Sequence, residues 1–142
     1  MRSIGLYLHI PFCDGKCRYC SFFSEKRDSA AMDSYTDQLI DAIRLWGNKI
    51  DRRITTVYFG GGTPSLLGHE RLIRILNSVY ESFEVEDGAQ ITVEANPSSS
   101  DQLDFAALLK AGVNRLSIGL QSANNDELMI LGRRHTADDV RH

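Results

Sequence analysis

Leu6-Tyr7-Leu8-His9-Ile10-Pro11-Phe12-Cys13-Asp14-Gly15-Lys16-Cys17-Arg18-Tyr19-Cys20 runs from a strand-like alternation straight into three thiols. Leu6, Leu8 and Ile10 alternate with Tyr7 and His9, the period-two pattern of a strand, starting at about Ser3. The 142-residue chain holds 3 cysteines, all in this one loop at Cys-x3-Cys-x2-Cys spacing. A disulfide framework wants an even number at wider spacing. Three close thiolates suit a 4Fe-4S cube, which is commonly held by four cysteines. With three, one iron is left as an open Lewis-acidic position, as in catalytic metal sites generally. Gly15 lets the loop turn tightly. Zinc on the three cysteines plus His9 is the competing reading, disfavoured because His9 belongs to the strand and zinc motifs usually pair two two-ligand clusters. Inert thiols are the third.

Working outward, strand and helix patterns alternate. Tyr35, Leu39, Ile43 and Trp46 give an amphipathic helix over about residues 30–49. Residues 54–59 form a β-branched and aromatic strand that ends at Gly60-Gly61-Gly62. Leu72, Ile75, Leu76, Val79 and Phe83 line a second helix, and residues 90–95 make a third strand closed by Asn96-Pro97. Leu103, Leu108 and Leu109 line a third helix capped at Gly112. Residues 114–119 make a fourth strand, 126–131 a helical turn, and Thr136 with Asp139 a capping box. This order predicts an α/β fold with right-handed crossovers and a parallel sheet. Four βα units are too few for a closed eight-fold barrel, which needs about 250 residues. The expectation is therefore a partial barrel: the N-terminal half of a longer domain, whose open last strand would promote association if it stood alone.

Ligands of parallel α/β folds bind beyond the carboxyl ends of the strands. Gly60-Gly61-Gly62-Thr63-Pro64 would lie there, and glycine permits close backbone approach. Without Gly-Lys-Ser/Thr it is no phosphate loop. Glu94, Gln121 and Arg133 also fall at or just past strand ends, although each alone reads equally well as a solvated polar residue. Hydrophobic content is 42%, charged content 25% and net charge −3, with no Lys/Arg run to displace counterions from a nucleic acid. No apolar stretch reaches the roughly 20 residues of a membrane span, and no secretory signal precedes the first strand. A cytoplasmic location is expected.

The cysteine loop with Tyr19, together with the glycine motif, resembles the radical S-adenosylmethionine (SAM) superfamily. The strings Leu8-His9-Ile10-Pro11-Phe12-Cys13, Phe59-Gly60-Gly61-Gly62-Thr63-Pro64, Gly119-Leu120-Gln121-Ser122 and Leu131-Gly132-Arg133-Arg134-His135 resemble its porphyrin-related branch. That branch comprises the oxygen-independent coproporphyrinogen III oxidases and the HemW-type heme chaperones. The resemblance implies a cluster on Cys13, Cys17 and Cys20, and SAM against Tyr7, Tyr19, Gly61, Gly62, Thr63, Glu94, Gln121 and Arg133. It implies SAM chelated at the open iron, with one-electron cleavage to a 5′-deoxyadenosyl radical if redox chemistry occurs. No catalytic acid or base is evident. Valine at Gly61 or Gly62 is expected to weaken SAM binding and spare the cluster.

The oxidases carry a further cysteine where this chain has Phe22, and a long segment before the first strand. Both departures favour the heme chaperone, with the oxidase as the alternative. Heme or porphyrinogen, an electron donor and a heme-accepting protein are the implied partners. The heme site is expected in the C-terminal part of the barrel, beyond residue 142.

Overall fold

Apolar residues along the first eight-residue strand alternate in burial, and the whole architecture follows from covering that one face. A computed structural model describes residues 3–15, 17–21, 25–26, 28–100 and 103–140. Strand β1 (Ser3–Ile10) is followed by the two-residue strands β2 (Phe12–Cys13) and β3 (Glu25–Lys26), helix α1 (Ser29–Gly47), strand β4 (Arg53–Gly61) and a 3-10 turn at Pro64–Leu67. Helix α2 (His69–Ser82), strand β5 (Val85–Ala95), the one-turn helix α3 (Pro97–Ser100), helix α4 (Phe105–Ala111), strand β6 (Arg115–Ile118), helix α5 (Asn125–Ile130) and a 3-10 turn at Asp138–Val140 complete the order.

The main sheet runs β1-β4-β5-β6, every neighbour parallel. Parallel neighbours need crossover connections, and α1, α2 and α4 supply them. Leu8, Ile10, Val57, Phe59, Ile91 and Val93 pack in one core with Met32, Ile40 and Ile43 of α1, Leu72, Ile75, Leu76 and Val79 of α2, and Leu108 of α4. Ion pairs Arg71–Asp33 and Arg74–Asp37, both 2.6 Å, stitch α1 to α2 at the surface. Being solvated, such pairs add little beyond orientation. The opposite face of the sheet carries Tyr7, His9, Tyr58 and Glu94. Tyr7 and His9 share that side of β1, as the alternation requires.

Several boundaries differ from the sequence expectation for physical reasons. Strand β4 continues through Gly60 and Gly61, which pair with His9 and Ile10, because ladder bonds need backbone and not side chains. Strand β5 starts at Val85, since that residue pairs with Ile54 before the register shifts, through an irregularity inside the strand, to Thr56↔Gln90. Leu103 is buried ahead of α4, whose start is set by Asp104 accepting from Ala107 N at 2.9 Å. Gly112 ends it in the left-handed conformation, as expected. Pro97 does more than stop a strand: it opens α3, where its fixed φ and missing N–H cost nothing. Asp139 accepts from Thr136 N at 2.6 Å, the reciprocal arm of the expected capping box. Among the described residues no helix is long and apolar enough to cross a membrane.

Leu76 is 0% exposed and Leu109, on α4, is 68% exposed. Leu76→Ala should cost about 2–5 kcal/mol in urea unfolding, whereas Leu109→Ala should change stability by less than about 0.5 kcal/mol. Equal effects would mean the core has been assigned to the wrong face.

Candidate functional site

The cysteine loop is pinned at its root. Phe12 is 1% exposed and meets the Tyr35 ring edge-on at 5.6 Å. Glu25 N donates to Pro11 O at 2.8 Å, and the short pair β2–β3 brackets the loop. Cys20 N donates to Cys17 O at 3.0 Å, so the last two cysteines sit across a tight turn. All three are free and half-buried.

The end of β4 is pressed against this loop. Gly62 N donates to Ile10 O and Thr63 N to Phe12 O, both at 2.7 Å. A Cβ on Gly62 would lie 2.5 Å from Phe12 O and 3.0 Å from Cys13 Sγ. Gly61, at φ +118°, would place its Cβ 2.7 Å from the His9 ring. The glycines are therefore required first by the protein's own packing. Valine at either position would displace the cysteine loop or its strand, which corrects the expectation that such substitutions spare the cluster.

A cleft of about 270 Å³ opens where the strands end. Cys13, Cys17, Cys20, Tyr19, Gly61, Gly62, Thr63, Glu94, Gln121 and Arg133 all line it. Tyr7 is set back from it. Its ring stacks on Tyr58 with centroids 6.1 Å apart, and its hydroxyl lies 3.2 Å from His9 Nδ1. Tyr58 in turn donates to Glu94 Oε1 at 2.6 Å. This bond to the carboxylate, helped by burial and the carboxylate's charge, raises the Tyr58 pKa. Burial, then the Glu94 charge, raises that of Tyr7. Gln121 adopts φ +68°, which no other non-glycine among the described residues does. Left-handed backbone is costly for a residue with a side chain, and here it falls on a polar residue lining the cleft.

Arg133 reaches in from the segment after α5. Its Nη1 lies 3.4 Å from Cys17 Sγ and 3.5 Å from Tyr19 Oη, while Nη2 donates to Asn96 Oδ1 and Gly119 O, both at 2.8 Å. Its Nε is buried with no protein partner among the described residues. Tyr19 is raised mainly by burial, with Cys17 adding to the rise and Arg133 opposing it. The segment itself is anchored by buried His135, whose Nε2 donates to Leu120 O at 3.0 Å.

The donor set fits an iron–sulfur cube. Among the described residues no three His, Cys, Asp or Glu side chains converge on one point. A zinc ion would need them all within about 2.3 Å of itself. A cube binds each cysteine to a different iron and makes no such demand. Arg133, with its orphaned Nε, and Glu94 both line the cleft, and they are the opposite charges that the two ends of an amino acid group would need beside such a cube. Phe22 lies outside the described residues.

Sequence reading passed over Asn96, Ser117 and Gly119, which also line the cleft, and Tyr58 behind it. Asn96 precedes a proline, so its turn role masked it. The available signal was its position immediately past a parallel strand.

The Radical SAM superfamily profile matches residues 7–142. The chain is 41% identical over 139 residues to the mitochondrial radical S-adenosyl methionine domain-containing protein 1 of Bos taurus, covering 96% of this chain and 31% of that protein. It is 36% identical to the heme chaperone HemW of Haemophilus influenzae, covering 97% and 38% respectively. The solved coproporphyrinogen III oxidase (HemN) of Escherichia coli, described as a radical SAM enzyme, superimposes with TM-score 0.86 at 28% identity over 98% of this chain and 32% of that one. The chain thus spans about a third of the length of these proteins.

Glu94→Gln keeps the shape and removes the charge that holds the Tyr58 proton. One tyrosine should then ionise at lower pH in a tyrosinate absorbance titration, with Tyr58→Phe identifying the step. An unmoved titration would show that the Tyr58–Glu94 bond does not form in solution.

Proposed function

The chain belongs to the radical SAM superfamily, and from that premise we propose that it forms the cluster- and SAM-binding part of a heme chaperone. Membership implies a 4Fe-4S cluster and SAM. Cys13, Cys17 and Cys20 would hold the cluster, since they are the chain's three thiols and all face one cleft at the strand ends. Their place together on one cleft carries the reading. When bound, the cluster supplies an electron and one open iron position. Around it, this chain's residues position and shield. Glu94 and Arg133 offer opposite charges to the amino and carboxylate ends of methionine, while Gly61, Gly62 and Thr63 present backbone at close range. Gln121 and Tyr19 line the same cleft. Tyr7 acts from behind, stacked on the tyrosine that holds Glu94.

Heme is the proposed cargo, with an electron donor and a heme-accepting protein as partners. The HemW similarity and Phe22 at the oxidases' further cysteine position support this choice. The second reading, an oxygen-independent coproporphyrinogen III oxidase, is supported by the close superposition on HemN. Residues 1–142 are taken as the N-terminal part of a longer barrel with the heme site further on. The half-exposed Leu116 and Ile118 of edge strand β6 and the relatives' greater length support that view. A cytoplasmic, reducing setting is part of the same proposal, because it keeps thiols available for cluster assembly.

After anaerobic reconstitution the protein should hold about four irons and four sulfides. Cys13→Ala, Cys17→Ala or Cys20→Ala should each abolish this. One tight zinc with no iron would overturn the cluster. Decarboxylation of coproporphyrinogen III with SAM and reductant would decide for the oxidase, and heme binding without turnover for the chaperone.

A further inference from the structure

Asn96 sits at the centre of a chain of polar contacts joining two of the three thiols. Its Nδ2 donates to Thr63 Oγ1 at 3.1 Å, and Thr63 Oγ1 lies 3.9 Å from Cys13 Sγ. On the other side, Asn96 Oδ1 accepts from Arg133 Nη2 at 2.8 Å, while Arg133 Nη1 lies 3.4 Å from Cys17 Sγ. The amide orientation is fixed by chemistry. A guanidinium only donates, so the amide oxygen must face Arg133 and the NH2 must face Thr63. A hydroxyl has one proton. With Asn96 donating into the Thr63 oxygen, that proton is free for an acceptor elsewhere, and the one the structure offers is the Cys13 sulfur.

We propose that Asn96 is a positioning residue that aims two hydrogen-bond donors, the Thr63 hydroxyl and the Arg133 guanidinium, at the sulfurs of Cys13 and Cys17, and so sets the ease with which the cluster is reduced. The inference rests on the cluster reading above. Hydrogen bonds to cluster sulfurs favour the more negative, reduced state. Asn96 also has a fixed seat for this task. Its backbone carbonyl caps α3 by accepting from Ser99 N at 3.0 Å and Ser100 N at 3.1 Å, and its N–H meets Ser99 Oγ at 3.3 Å. The side chain therefore projects from a clamped backbone between β5 and α3.

The roles predict unequal effects of near-isosteric changes. In Asn96→Asp the carboxylate still accepts from Arg133, but it cannot donate. The Thr63 hydroxyl then turns to the carboxylate and leaves Cys13, and a negative charge is added beside the cluster. Thr63→Val removes only the hydroxyl and keeps the side chain's shape. The experiment is an EPR-monitored redox titration of the reconstituted protein, with iron and sulfide counted on every variant. Both variants should take up as much iron as wild type. At fixed ambient potential the reduced fraction relative to oxidised should fall about tenfold in Thr63→Val, the scale of one lost hydrogen bond, and further in Asn96→Asp, where the added charge acts as well. The double variant should match Asn96→Asp, because the hydroxyl is already diverted there. Wild-type potentials in both cluster-loaded single variants would overturn the role of Asn96 and leave the cluster reading standing. Loss of iron from both variants would make the chain of contacts a folding element only, which also overturns the proposal. Failure of wild type itself to load iron would sink the cluster reading and this inference together.

Discussion

Two backbone bonds decide the geometry of this protein's business end: Gly62 N to Ile10 O and Thr63 N to Phe12 O. They continue the β1–β4 ladder past the point where regular pairing stops and draw the glycine turn onto the root of the cysteine loop. No side chain larger than hydrogen fits at Gly62, because the space is already filled by Phe12 O and Cys13 Sγ. The thiols are thus referenced to the centre of a parallel sheet and not to a free loop. Rigid elements hold reactive groups more accurately than loops do, and here the loop borrows its rigidity from the sheet.

The same sheet separates two jobs by its pleat. One face is apolar and covered by α1 and α2, and it supplies the stability. The other carries Tyr7, His9, Tyr58 and Glu94, whose polar groups pair with one another: phenol with carboxylate, phenol with imidazole. Pairing matters because an unpaired carboxylate beside two aromatic rings would be costly. It ties a cleft-lining carboxylate, through Glu94 Oε1, to Tyr58 behind it.

Much of this was legible in the residues. The three thiols, the glycine run and the strand-end positions of Glu94, Gln121 and Arg133 are local signals, and all of them line one cleft. What was not legible depends on pairing between distant segments. The β2–β3 pair is two residues long on each side and has no pattern of its own. Tyr58 meets Glu94 only because β4 and β5 pair at Phe59↔Val93 and Tyr58↔Thr92. Asn96 looked like punctuation before Pro97. Its side-chain partners, Thr63 and Arg133, are 33 and 37 residues away, out of reach of any local rule.

That distance has a consequence for how the protein is made. The cysteine loop leaves the ribosome before its partners: Thr63 follows 50 residues after Cys13, and Arg133 116 residues after Cys17. At about 5–20 residues per second, the interval is on the order of ten seconds. During it the thiols have strand β1 beneath them and no guanidinium, no Leu131 carbonyl for Arg18 N and no Arg134 beside Asp14. Oxidants and competing metals therefore meet an open loop on the nascent chain. The segment that carries Arg133 and Arg134 closes over the loop only once it too has been made.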